Sequence, residues 1–170
     1  MSGPAVVLIG PPGAGKSTVG HALADILGVG FHDTDAAIEV REGRSIADIF
    51  VIDGEPAFRQ LESAEVAAAI AQERGVLALG GGAPMSEQAQ EALADCLVVF
   101  LDVGIADAAP RIGFDQSRPL LAVNPRASWV RLMKERRPTY ERLARHIVDT
   151  SGRSAQQVAA EIADLVGASR

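Results

Sequence analysis

A glycine-rich loop near the amino terminus is the part of this sequence whose residue types most clearly predict chemistry. Residues 10–17 read Gly-Pro-Pro-Gly-Ala-Gly-Lys-Ser and follow the apolar run at 6–9. The G-x-x-x-x-G-K-S spacing between a strand and a helix is typical of loops whose backbone N–H groups surround the phosphates of a nucleoside triphosphate. Lys16 would reach the phosphates and the Ser17 hydroxyl would bind Mg²⁺. The acceptor stays open, because hydrolases, switches, motors and small-molecule kinases share this loop.

Two aspartates follow a short strand predicted at about residues 29–32. Asp33 and Asp35 are two positions apart, so in an extended segment both carboxylates would face the crevice beside Lys16. One could hold the water shell of Mg²⁺ while the other accepts a hydroxyl proton. The alternative is that one of them caps the next helix, and Asp35, directly before the helical run at 36–39, fits that role well.

Three consecutive glycines, residues 80–82, follow an apolar strand at about 76–79. They would let the backbone approach a ligand closely and expose N–H donors, although a sharp turn is the ordinary alternative. The apolar strand that ends in an acid is the one at 97–101. Spacing alone therefore nominates Asp102 as a metal carboxylate.

The arginines are unevenly placed. Of 14 arginines, nine lie between Arg111 and Arg153, in a chain whose net charge is −6. The planar guanidinium fork matches carboxylates and phosphates, so this cluster favours a small anionic ligand. A solvated helix face explains some members, such as Arg142 and Arg145. The acidic surface as a whole argues against a general nucleic-acid binder.

The apolar runs predict a parallel sheet buried on both faces, because they do not alternate with polar residues. Strands are expected at about 4–9, 29–32, 76–79, 97–101 and 147–148, with helical patterns between them, which together make an α/β sandwich. The helices are expected after the phosphate loop as far as Gly28, and at about 35–42, 46–52, 56–73, 86–93, 104–111, 126–145 and 154–166.

The length and composition predict one compact domain. The chain has 170 residues, 48% of them hydrophobic, and one cysteine, Cys96, which we expect to pack as a small buried thiol. The first residues do not resemble a targeting segment, and no apolar run is long enough to span a bilayer. We expect a cytoplasmic monomer without membrane or nucleic-acid partners.

Residues 113–125 interrupt the helical pattern with turn formers and two prolines. A segment of this kind in a small-molecule kinase closes over the triphosphate and excludes water. A static surface connection is the alternative.

These motifs together resemble the shikimate kinase family, of the actinobacterial kind, nearly end to end. The resemblance implies a nucleoside-monophosphate-kinase-like fold, that is, a three-layer sandwich with a five-stranded parallel sheet. It also implies a shikimate-binding region at about 33–62 and a lid at about 112–125. The similar segments are the phosphate loop, Asp33-Thr34-Asp35, the run at 43–50, Asp53-Gly54-Glu55 with Phe58-Arg59, the glycine triplet in 79–83, Arg118-Pro119-Leu120-Leu121 and an Arg-x-Pro-x-Tyr element at 136–140.

The family resemblance implies ATP-dependent phosphorylation of the shikimate 3-hydroxyl. Asp35 is then expected to bind the hydroxyls and assist deprotonation. Arg59 and Arg136 would clamp the substrate carboxylate, and the Gly81 N–H would add a contact. The walls of this pocket would include Phe50 and Phe58.

On the donor side the resemblance implies that Lys16 and Arg118 neutralise charge on the transferred phosphoryl group. Ser17 would ligate Mg²⁺ directly and Asp33 would act through water. Arg111 and Arg153 would pack around the adenine. The implied ATP-binding set is Gly13, Ala14, Gly15, Lys16, Ser17, Thr18, Arg111, Arg118 and Arg153.

The resemblance also ranks the alternatives. Asp102 falls to a structural role, and the spacing to Pro138 selects Arg136 over the adjacent Arg137 as the clamp residue. Pro110 stands where relatives often have a second arginine, which bears on adenine packing. Another kinase of the same fold, acting on gluconate or a nucleotide, fits Asp35 and the clamp less well. A non-catalytic nucleotide-binding module fits the full residue set poorly.

Overall fold

A five-stranded parallel sheet lies at the centre of the structure, a computed structural model that describes residues 3–112 and 124–169. The strand order is β2-β3-β1-β4-β5, and all four neighbouring pairs are parallel. The predicted fold class is confirmed. The strands are β1 (Val6–Ile9), β2 (Phe31–Asp33), β3 (Val76–Ala78), β4 (Val98–Asp102) and β5 (His146–Asp149).

Helices cover both faces of this sheet, which explains why the inner strands β1, β3 and β4 are apolar without alternation. Each predicted helix is found within two residues of its expected ends. None of the helices in the described ranges is long and apolar enough to cross a membrane. The helices are α1 (Lys16–Leu27), α2 (Thr34–Glu42), α3 (Ile46–Asp53), α4 (Glu55–Gln72), α5 (Glu87–Leu93), α6 (Ile105–Ile112), α7 (Pro125–Leu143) and α8 (Ala155–Ala168), with a 3₁₀ turn at Ala83–Met85.

The order of the strands creates a crevice above β1. β1 pairs with β3 on one side and with β4 on the other, and the chain crosses between the two halves of the sheet when it passes from β3 to β4. Open parallel sheets bind ligands where the strand order reverses in this way, at the carboxyl ends of the strands. The glycine-rich loop after β1 therefore lies at the point where the topology favours a binding site.

The buried apolar residues form two separate groups. The main core surrounds the sheet, and all four residues of β1 are fully buried in it. A smaller cluster of Ile38, Ile49 and Phe58 lies between α2, α3 and α4. The helices that follow β2 therefore have a local core of their own.

The predicted lid is described only at its ends. Ile112 ends α6, and α7 begins at Pro125. Residues 113–123, including Arg118, lie outside the described residues.

The close approach of β2 and β3 generates a stability prediction. A Cβ added to buried Gly75 would lie 2.1 Å from the Gly30 carbonyl oxygen, which already accepts the Val76 N–H at 2.9 Å. Because the obstacle is backbone, Gly75→Ala must push the two strands apart. We expect it to lower the free energy of unfolding by about 1–3 kcal/mol, measured by urea denaturation.

Gly167→Ala is the matched control. Nothing lies within 4 Å of a Cβ at Gly167, which is part of α8. Alanine there should leave stability unchanged or raise it by up to ~1 kcal/mol. Equal stabilities for the two variants would contradict this account of the β2–β3 approach.

Candidate active site

A cavity of about 470 Å³ lies at the carboxyl ends of β1, β2 and β3. It is lined by the glycine-rich loop, by α2, α3 and α4, and by α7. The structure brings most of the predicted site residues to its walls. Those residues are Gly13, Gly15, Lys16, Ser17, Thr18, Asp33, Asp35, Phe50, Phe58, Arg59, Gly81, Arg111 and Arg136.

The glycine-rich loop depends on backbone conformations that favour glycine. Gly13 and Gly15 have φ angles of 84° and 90°. A Cβ at Gly13 would lie 2.9 Å from both the Cβ and the carbonyl oxygen of Ala108. The turn therefore holds its tight shape against α6 only with glycine at this position.

The Lys16 ammonium lies over the loop that carries it. Its Nζ donates to the carbonyl oxygens of Gly10 at 2.6 Å and Pro11 at 3.1 Å. These contacts keep the cation at the cavity wall where the loop would receive phosphates. Ala14, also predicted to bind ATP, is fully buried and does not line the cavity.

Ser17 and Asp33 form an oxygen pair beside Lys16. The Ser17 hydroxyl donates to Asp33 Oδ2 at 2.6 Å. Hydroxyl and carboxylate oxygens are the ligand types that Mg²⁺ prefers, so this pair fits the predicted metal role.

The capping alternative for Asp35 is wrong, because Asp33 caps α2. Asp33 Oδ1 accepts the backbone N–H of Asp35 at 2.9 Å and of Ala36 at 3.3 Å. Strand β2 continues to Asp33, so the helix starts at Thr34 and its cap is the preceding residue. Asp35 lies in the first turn of α2 and lines the cavity.

The glycine triplet at 80–82 makes room for three charged side chains, one over each glycine. A Cβ on the first glycine would lie 2.5 Å from Asp35 Oδ1, and one on the second would lie 3.2 Å from Arg136 Nη1. A Cβ on the third glycine would lie 2.6 Å from Arg59 Nη1. Real Cβ atoms do not approach other atoms at 2.5–2.6 Å. The triplet therefore lets a carboxylate and two guanidinium groups converge on one wall of the cavity.

Arg59 is held by carboxylates of its own helix and by two aromatic rings. It donates to Glu62 Oε1 at 2.8 Å and to Glu55 Oε2 at 3.2 Å. Its guanidinium carbon lies 5.9 Å from the Phe50 ring centre and 5.3 Å from that of Phe58, within cation–π range. Charge pairing and ring contacts together fix the direction of this cation.

Glu62 is a buried carboxylate that the sequence analysis did not select. Burial raises its pKa, and the opposing charges of Arg59 and Arg136 offset this only in part. Burial alone would lower the pKa of Arg59, but the charges and hydrogen bonds of Glu62 and Glu55 outweigh it and raise the pKa. Glu55 is half exposed and screened by solvent. The wall therefore presents two guanidinium groups, oriented beside the buried Glu62, to an added anion.

Glu39 also lines the cavity without having been selected. Its Oε2 accepts the Ile46 N–H at 3.0 Å, at the first residue of α3. The sequence spacing of Glu39 and Glu62 from predicted site residues indicates where both acids lie. Glu39 is four residues after Asp35, and Glu62 is three after Arg59, so each shares a helix face with a predicted site residue.

Helix α7 contacts two loops and the end of β4 at this edge of the sheet. Trp129 Nε1 donates to the Pro12 carbonyl at 2.8 Å, and the Tyr140 hydroxyl donates to the Gly81 carbonyl at 2.6 Å. Arg137 forms a two-pronged pair with Asp102, with both N–O distances at 2.9 Å.

Arg136, next to Arg137 on the same helix, instead lines the cavity. This arrangement agrees with the choice of Arg136 over Arg137 and with a structural role for Asp102.

The two arginines predicted at the adenine differ in position. Arg111 lines the cavity and donates to the Gly13 carbonyl and to the Thr150 hydroxyl, both at 3.1 Å. Arg153 does not line it. Arg153 donates to the Asp149 carbonyl at 3.0 Å and lies 2.8 Å from Glu161 of α8.

Tyr140 supplies a spectroscopic prediction, because it is the sole tyrosine of the chain. Burial raises its pKa to about 12, although the positive charge of Arg136 opposes the shift. Absorbance at 295 nm should show phenolate forming near pH 12 in the folded protein and near pH 10 in urea. Circular dichroism at each pH checks that the protein is folded.

The same shift determines how stability depends on pH. The folded-state pKa lies above the unfolded one, so the stabilisation is present below pH 10 and is lost as the pH rises from 10 to 12. A titration midpoint near 10 in the folded protein would contradict the buried position of the hydroxyl.

Solved structures share this architecture. Shikimate kinase from Acinetobacter baumannii in complex with shikimate superposes with a TM-score of 0.95 at 35% identity, over 100% of this chain and 96% of that one.

Sequence comparisons agree with the structural match. Shikimate kinase of Thermobifida fusca is 54% identical over 162 residues, which is 95% of this chain and 94% of the relative. The Salinispora arenicola enzyme is 51% identical over 165 residues, or 97% of this chain and 99% of the relative. A family model described as shikimate kinase matches residues 12–166. The chain belongs to the shikimate kinase family.

Proposed function

We propose that this protein transfers the γ-phosphoryl group of ATP to the 3-hydroxyl of shikimate, giving ADP and shikimate 3-phosphate. The observation that carries the proposal is the convergence of Asp35, Arg59 and Arg136 over the glycine triplet, in the same cavity as Lys16 and Ser17. A triphosphate site and a site for a hydroxylated acid thus share one space. Members of the family are phosphotransferases with an alcohol acceptor.

The acceptor is oriented from its carboxylate end. Arg59 and Arg136 bind the carboxylate, Arg59 in place of part of its present pairing with Glu62, and the Gly81 N–H adds a contact. Asp35 binds the ring hydroxyls at the opposite end. Because the two guanidinium groups are already held in position, little ordering is required when the acid binds.

In the transfer step the 3-hydroxyl oxygen forms a bond to the γ-phosphorus as the bond to the bridging β,γ-oxygen breaks, and ADP leaves. Asp35 accepts the hydroxyl proton or directs it to solvent. Lys16 neutralises charge that develops on the phosphoryl oxygens. Arg118 is expected to do the same from the segment at 112–125, as the family resemblance implies.

The metal assignment rests on the Ser17–Asp33 oxygen pair. Ser17 would bind Mg²⁺ directly and Asp33 would hold it through water, since Asp33 already caps α2 with its other oxygen. When bound with ATP, Mg²⁺ neutralises phosphate charge and orients the donor. Arg111, between the phosphate loop and Thr150, would contact the nucleotide, and the family resemblance implies that Arg153 packs at the adenine as well.

The proposed setting is a cytoplasmic monomer that works as one domain on small molecules. Residues 33–62 form the acceptor side in this proposal, and the family resemblance implies a lid at about 112–125. ATP is an intracellular substrate, and the net charge of −6 disfavours nucleic acid and anionic membrane surfaces.

The substrate is tested by coupled measurement of ADP release with shikimate, quinate, gluconate and nucleoside monophosphates. Release that depends on shikimate, well above the other acceptors, is expected. Lys16→Ala should lower kcat by about 100-fold or more. Lys134→Ala, at the other lysine of the chain and exposed on α7, is the matched control. Absence of shikimate-dependent release would reject the proposal, and gluconate-dependent release would select the alternative kinase.

The role of the glycine triplet is tested by Gly82→Ala. Gly82 has an ordinary φ of −91°, so alanine fits the backbone, but its Cβ must displace the Arg59 guanidinium. The KM for shikimate should rise about tenfold while kcat and the KM for ATP change little, because a carboxylate contact is made equally in the ground and transition states.

Gly104→Ala is the matched control, since nothing lies within 4 Å of a Cβ there. Arg59→Met combined with Glu62→Gln gives the upper limit for losing the contact without stranding a buried carboxylate. An unchanged KM in Gly82→Ala would show that Arg59 does not need this space to bind the acceptor.

A further inference from the structure

We propose that Asp102 and Arg137 are a positioning pair that directs Arg136 at the acceptor. The inference rests on the proposed function, because Arg136 is taken there as a ligand of the substrate carboxylate. Neither Asp102 nor Arg137 lines the cavity. They act on the substrate only through the helix that they fix.

The geometry of the pair is rigid. Both terminal nitrogens of Arg137 donate to different oxygens of Asp102 at 2.9 Å, and the guanidinium carbon lies 5.8 Å from the Phe100 ring centre. A two-pronged guanidinium–carboxylate pair fixes orientation as well as distance.

Asp102 is itself a fixed anchor. It is the last residue of β4, and its Oδ1 also accepts the Val103 N–H at 2.8 Å. Its carbonyl oxygen accepts both the backbone N–H of Thr150 at 2.9 Å and the Thr150 hydroxyl at 3.1 Å. The position that Arg137 contacts is thus defined by the sheet.

The geometry of the helix links this fixed contact to the direction of the Arg136 side chain. Adjacent residues of an α-helix point about 100° apart, so holding Arg137 against the end of β4 sets the direction in which Arg136 leaves the helix. Pro138 follows immediately within α7. Because proline has no N–H, it removes one hydrogen bond of the helix at this point, and the Arg137–Asp102 pair holds the helix beside that position.

Folding stability does not account for the pair. The side chains of Arg137 and Asp102 are 38% and 27% exposed, so solvent screens their attraction and limits what the pair adds to the free energy of unfolding. Its rigid geometry therefore matters more for where Arg136 points than for whether the chain folds.

The test is Arg137→Met, which keeps the length of the stem but removes the fork. The KM for shikimate should rise about tenfold, with kcat, the KM for ATP and Tm nearly unchanged. Arg137→Lys, which keeps the charge but not the two-pronged contact, should fall between Met and wild type. Arg142→Met is the matched control on the same helix, because Arg142 is exposed and bonds only to Gln90 among the hydrogen bonds described.

Asp102→Asn tests the same pair from the sheet side, since asparagine still accepts the Val103 N–H. Combined with Arg137→Met, it should raise the KM for shikimate no further than either change alone.

A KM for shikimate within twofold of wild type in both single variants would overturn the inference, and so would a loss of kcat and Tm at constant KM. If wild-type protein shows no shikimate-dependent ADP release, the proposed function fails and the inference fails with it. Wild-type activity with unaltered variants rejects the inference alone.

Discussion

The space above residues 80–82 is the constraint on which the candidate site depends. Three groups from three helices, Asp35, Arg136 and Arg59, approach this backbone so closely that a Cβ would meet two of them at 2.5–2.6 Å. Glycine there leaves space for these side chains to adopt their positions rather than allowing a turn, because 80–82 are not among the positive-φ glycines. The acceptor end of the cavity thus depends on the absence of a Cβ at each of these three positions.

Helix α7 joins the donor and acceptor halves of the cavity. Trp129 near its start contacts the phosphate loop, Arg137 contacts the end of β4, and Tyr140 contacts the glycine triplet. Each contact is made by a polar group on an otherwise apolar or partly buried side chain. One helix therefore fixes two loops and the end of β4 relative to each other, and these contacts position the helix that carries Arg136.

Much of the fold followed from the sequence because its signals are local. The non-alternating runs predicted buried parallel strands, and the phosphate-loop spacing predicted what binds beside them. The cap was less predictable: whether Asp33 or Asp35 caps α2 depends on where β2 ends, and the strand ends at Asp33 rather than near residue 32. Long-range pairs, such as Arg137 with Asp102, depend on how α7 is rotated, which no local pattern records.

The buried acid of the site could not be predicted from composition alone. Glutamate is common on helix surfaces, so Glu62 looked like one solvated acid among many, yet its side chain is only 6% exposed. The burial of Glu62 affects how Arg59 is presented to the substrate. Because Glu62 is desolvated and its pKa is raised, its pairing with Arg59 does not fully offset the loss of water. Glu62 thus orients the Arg59 guanidinium, and Arg136, whose positive charge also acts on Glu62, supplies a second cation for the substrate carboxylate.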